Sequence, residues 1–75
     1  MAKMFISLLR LARASLQISQ VTLSKESGIS RQTISALELG KTQPTFLVAH
    51  TLAEYFDLPI ERLFTFKDPR ASKKV

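Results

Sequence analysis

The sequence predicts an all-α domain of five helices, and three observations carry that prediction. Apolar residues recur three and four positions apart along most of the chain, Ser residues and lone glycines bracket two short segments, and 75 residues without Cys allow one small domain with no disulfide staple.

Phe5, Leu9, Ala12, Arg13 and Leu16 follow helical spacing, which predicts a first helix over about residues 4–16. Met4, Leu8, Leu11 and Ser15 form a second stripe about 100° around it. That helix is therefore apolar over nearly half its girth and suits either a deep place in the core or a subunit contact. Ser19 is a natural N-cap for a second helix, Gln20 to Ser27, because its hydroxyl can accept from the unpaired amides of the first turn; Gly28 ends it. Ser30 caps a third helix running to about Leu39, and Gly40 takes the left-handed position that closes it. Pro44 and Thr45 start a fourth, Phe46 to Phe56, with Phe46, Ala49, Leu52, Ala53 and Phe56 inward. Asp57 can stop it, and Pro59 opens a short final helix through Phe64. Two short capped helices joined by a tight Gly turn make a helix-turn-helix arrangement. Residues 65–75 are polar and basic and are expected to fray, the competing reading being a short strand at Thr65, Phe66 and Lys67 paired with the N-terminus. The expected division is a helix-turn-helix domain over 1–66 and a flexible basic tail over 67–75.

Composition argues against an enzyme and against a metal or cofactor site. His50 is the single His, there is no Cys, and Gly28 and Gly40 each stand alone, so neither a metal cluster nor a phosphate-cradling loop is expected. The apolar run from Met4 is broken at Arg10, too short for a leader and far short of the roughly 20 residues a membrane span needs. A soluble, cytoplasmic chain without a membrane partner is the expectation. The net charge of +5 calls for a polyanion, nucleic acid or an anionic membrane surface. It is unevenly spread: residues 1–43 carry net +4, residues 44–64 net −2 and residues 65–75 net +3. A chain this short buries only about 60% of its unfolded surface, which leaves oligomerisation as an aid to stability.

Arg13 upstream of Ser19-Gln20, then Gly28-Ile29-Ser30-Arg31-Gln32-Thr33-Ile34-Ser35, then Leu37-Glu38-Leu39-Gly40-Lys41-Thr42-Gln43-Pro44, and finally Pro59-Ile60-Glu61-Arg62-Leu63-Phe64 fall in order. Together they resemble the Xre family, the Cro and repressor type of helix-turn-helix regulator, and in particular its short stand-alone members. The likeness covers about Leu9 to Phe64. It implies a compact five-helix Cro/repressor-like domain and transcription regulation through double-stranded DNA, as a repressor and homodimer on a palindromic operator.

The residues of the third helix support the same reading. With Ile34 inward, Gln32, Ser35, Ala36 and Leu39 share the outward face. An amide, a hydroxyl and a small methyl there suit a major groove about 12 Å wide, where Gln pairs with adenine and a methyl meets thymine. Arg31, Gln32, Ser35 and Ala36 are the candidate base contacts, with Arg31 open between guanine and phosphate. Ser19, Gln20, Ser30, Thr33, Lys41, Thr42 and Gln43 are candidate backbone contacts. The resemblance implies that Gln20 binds phosphate and steadies a recognition-helix Gln, here Gln32, and that Arg13 and Glu38 form a structural ion pair. It also marks departures: Gln17 where a Gly often ends the first helix, Ser24 for a frequent Ala, and Leu39 where polar residues are common. Tyr55, Leu58 and Ile60, on the outer face of the fourth and fifth helices, are the candidate dimer contact, and His50 is expected to be packed or interfacial. Surplus apolar surface on the first and fourth helices leaves a second function open, an antitoxin or adaptor module gripping a protein partner.

Overall fold

The computed structural model describes residues 4–67. Its element order is β1 (Met4–Ser7), α1 (Leu9–Ser15), α2 (Gln20–Ser27), α3 (Arg31–Glu38), α4 (Phe46–Phe56), a single 3-10 turn (Ile60–Arg62) and β2 (Phe64–Lys67).

The three central helices begin where side-chain oxygens can take up free amides. Ser19, Ser30 and Thr45, all in extended backbone, accept hydrogen bonds from the N–H groups of Thr22, Thr33 and Val48. Their far ends are closed by left-handed residues, Gly28 with φ 82°, Gly40 with φ 72° and Asp57 with φ 57°. Gln17 ends α1 in the same way with φ 58°: its N–H bonds the Ala14 carbonyl at 2.9 Å, and that of Ile18 reaches Arg13 at 3.4 Å. A Gln thus holds a conformation that Gly adopts without steric cost.

Both ends of the described segment depart from the leading expectation, and at Thr65–Lys67 the competing reading of a strand paired with the N-terminus holds. Residues 4–7 form a strand rather than the first turn of a helix, so α1 starts only at Leu9. The last expected helix shrinks to the 3-10 turn, and Phe64 opens β2 instead. The two departures have one cause. β1 and β2 pair antiparallel, Phe5 opposite Phe66 and Ser7 opposite Phe64, and the ladder continues into a 2.7 Å bond from the Leu8 N–H to the Leu63 carbonyl. Phe5 lies 6.1 Å from the Phe64 ring and 5.8 Å from that of Phe66, and cross-strand aromatic pairs of this kind stabilise a ladder. Thr65–Lys67 therefore pair with the N-terminus rather than fray, and the five-helix count becomes four α-helices, one 3-10 turn and a two-stranded sheet among the described residues. Lys67 belongs to the sheet; the remainder of the expected tail lies outside the described residues.

The core is one cluster drawn from all four α-helices, the α2–α3 turn and Leu63–Phe64. Leu9, Leu23, Ile34, Leu37, Leu52 and Leu63 are fully buried, joined by Ala12, Ile29, Ala49 and Phe64; full burial of such side chains contributes about 1.5–3 kcal/mol each. Two residues expected inward are not: Leu16 is 51% and Phe46 78% exposed. Each sits at a helix end, Leu16 at the C-cap of α1 and Phe46 at the first position of α4, where a side chain overhangs the body of the domain.

Candidate nucleic-acid interface

The tight turn between α2 and α3 works because Ile29 is buried beneath it while Gly28 and Ser30 stay exposed. Ile34 and Leu37 bury one side of α3, which leaves Arg31, Gln32 and Leu39 exposed and Ser35 and Ala36 half-buried on the other. Shallow depressions flank that outer side. Gln20, Arg31, Gln32 and Ser35 line one of them. The other runs between α3 and the start of α4 and is lined in part by Gln32, Thr33, Ala36, Thr42 and Gln43. Gln32 stands on the ridge between the two. The fold thus brings together all four candidate base contacts and four of the seven candidate backbone contacts. Ser19 and Ser30 lie beside them at the starts of α2 and α3, and Lys41 is exposed just beyond Gly40.

The cap residues change how the hydroxyls can be used. Ser19 Oγ, already accepting from the Thr22 N–H, lies 3.1 Å from Thr22 Oγ1, and Ser30 Oγ lies 2.9 Å from Thr33 Oγ1. Each Ser hydroxyl can donate to its Thr neighbour, which frees the Thr proton for an anion. Thr22 is therefore an equivalent of Thr33 that sequence reasoning passed over. Its signal was there in the repeated spacing of Ser19 with Thr22 and Ser30 with Thr33.

Beneath this surface lies the ion pair. Arg13 Nε donates to Glu38 Oε2 at 2.7 Å, its second nitrogen to Oε1 at 3.0 Å, and its third to the Ile18 carbonyl at 3.0 Å. The fork joins α1 to α3 and to the turn before α2. Burial of the Glu38 side chain, 5% exposed, works against its charge. Hydrogen bonds from Arg13 and Gln20, with the charges of Arg13 and Arg10, outweigh it and hold the carboxyl below its ordinary pKa. The same hydrogen bond raises the Arg13 pKa.

Gln20 is not bonded to Gln32. Its Nε2 donates to Glu38 Oε1 at 3.0 Å, and its Oε1 accepts from Arg31 Nε at 3.5 Å. The helix starts explain the change of partner. Gln20 and Arg31 are the first residues of α2 and α3, both directly after a capping Ser, whereas Gln32 lies one step further around α3.

The candidate dimer residues Tyr55, Leu58 and Ile60 are half-buried against the core. The Tyr55 hydroxyl donates to Glu26, tying α4 to α2, and that bond raises the phenol's pKa. His50 is exposed rather than packed, with its ring 5.9 Å from Phe46 and its Nε2 3.9 Å from Glu54. Among the described residues no group of three or more His, Cys, Asp or Glu could hold a metal, and no helix is long and apolar enough to cross a membrane.

Comparison with known proteins agrees with this geometry. Residues 9–63 match a family described as helix-turn-helix. An uncharacterized HTH-type transcriptional regulator of Methanocaldococcus jannaschii is 40% identical over 60 residues, covering 80% of this chain and 91% of the relative. Two HTH-type transcriptional regulators of Archaeoglobus fulgidus are 41% identical over 56 residues and 36% over 62, covering 75% and 83% of this chain and 80% and 87% of the relatives.

Proposed function

This chain belongs to the Xre-type helix-turn-helix family of DNA-binding transcriptional regulators, and from that premise we propose that it is a repressor binding a near-palindromic operator as a homodimer. The observation that carries the reading is the outer side of α3, where Arg31, Gln32, Ser35 and Ala36 stand together between two depressions. Seated in the major groove, Gln32 pairs with adenine, Ala36 meets a thymine methyl, and Arg31 and Ser35 take neighbouring base edges. Ser19, Ser30, Thr33, Lys41, Thr42 and Gln43 hold the register on phosphates. Two subunits place their α3 helices about 34 Å apart, in successive major grooves. Tyr55, Leu58 and Ile60 lie on the segment of negative net charge and form the two-fold contact.

Salt titration of duplex binding tests the DNA half of this reading. Log K falls linearly with log salt, with a slope set by the phosphates neutralised. Sedimentation equilibrium reads the other half, as a mass about twice the 8.4 kDa of one chain. Exposed Phe46, Leu47 and Phe66 favour the second reading, a module whose main task is to grip a protein. That reading takes over if no duplex binds at about 50 mM salt, where a protein contacting several phosphates binds far more tightly than at physiological salt.

A further inference from the structure

The geometry points to Arg31 as a guanine reader whose aim is set by Gln20 and Glu38, a deeper statement of the proposed function that rests on it. The carboxylate of Glu38 takes the Gln20 Nε2, so the carbonyl end of that amide faces Arg31 and accepts from its Nε at 3.5 Å. An Arg held at Nε keeps its two terminal nitrogens free, side by side, beyond the contact. Two parallel donors match the O6 and N7 acceptors that guanine alone presents in the major groove. Arg31 is also exposed at the first position of α3, the end of a recognition helix that meets base edges. Glu38 is anchored from below by both forks of Arg13, so the chain of contacts starts from a fixed point. Gln20 is thus a positioning residue, and each half-site carries a G·C pair opposite Arg31.

Selection of bound sequences from random duplex DNA, run with the full chain and with Arg31→Ala and Gln20→Met, tests this. The unaltered protein enriches a half-site with a fixed guanine. Arg31→Ala loses the preference there, about 5- to 150-fold, the discrimination of one bidentate pair. Gln20→Met relaxes the same base pair while leaving the preferences at the other positions in place, and adding it to Arg31→Ala relaxes that pair no further. The inference is overturned if Arg31→Ala keeps the guanine. It is equally overturned if Gln20→Met weakens all sequences alike and leaves the guanine preference intact, the mark of a backbone contact that reads no base. If the unaltered protein enriches no sequence at all, the proposed function falls with it, so the two failures are distinct.

Discussion

Replacing Arg13 by Met should be the most damaging single change to the ion pair, and the structure says why. Arg13 supplies two of the three hydrogen bonds that Glu38 receives. Without it a carboxylate 5% exposed keeps only the Gln20 amide. Stranding one partner of this partly buried pair costs up to the roughly 3–5 kcal/mol of a fully buried one. A domain of this length has a total stability of about 4–11 kcal/mol, at roughly 0.05–0.15 kcal/mol per residue. The thermal midpoint should therefore drop by at most about 12–40 °C, at roughly 4–8 °C per kcal/mol. The reverse change, Glu38→Met, strands a guanidinium that is 18% exposed and still donates to the Ile18 carbonyl, so it costs less. With both replaced by Met no charge is left behind, and most of the loss returns. Urea denaturation followed by helical circular dichroism on the four proteins closes the cycle. A loss under about 1 kcal/mol for Arg13→Met, or a double variant in which the two losses simply add, would refute the reasoning.

Three further outcomes follow from the same geometry. Because the folded Glu38 carboxyl lies below its ordinary pKa, its contribution is complete above the ordinary carboxylate value and is lost as pH falls through the lowered one. Glu38→Gln should flatten the acid limb of a stability–pH curve, and curves that stay parallel would contradict this. Tyr55 is the chain's only Tyr, so an absorbance titration reads it directly. Its midpoint should lie above 10.0 and return toward it in Glu26→Gln, with an unmoved midpoint as the contrary result. Gln17→Gly should raise stability by up to about 1 kcal/mol by relieving a left-handed non-Gly residue; a loss in the same urea assay would count against it.

The central helices were legible because their signals are local. Ser19, Ser30, Thr45 and Gly28 announce their own capping roles, and the bounds of α2 and α4 match the sequence reading at both ends. The two ends were legible only in part: the strand reading of Thr65, Phe66 and Lys67 named the pairing with the N-terminus, but the helical reading of residues 4–16 hid its other strand, because what decides it is distant. Phe5 and Leu9 are spaced for a helix, yet Phe5 pairs with Phe66, and that partner is invisible to a pattern read over a few residues. Helical spacing likewise places Phe46 inward but carries no information about where the body of the domain ends. At the candidate interface, helical spacing from Ile34 put Gln32, Ser35, Ala36 and Leu39 outward; Gln32 and Leu39 are exposed and Ser35 and Ala36 half-buried. The contact of Gln20 with Arg31 and Glu38 depends on how two helix starts meet, which only the packed turn reveals.

The most direct test of the central claim is the ratio of affinities of the full chain for a duplex drawn from selection and for the same bases shuffled, at near-physiological salt. Recognition through the outer side of α3 predicts a preference of roughly a thousandfold or more, the lower bound for specific over non-specific binding. Equal affinities for the two duplexes would contradict it.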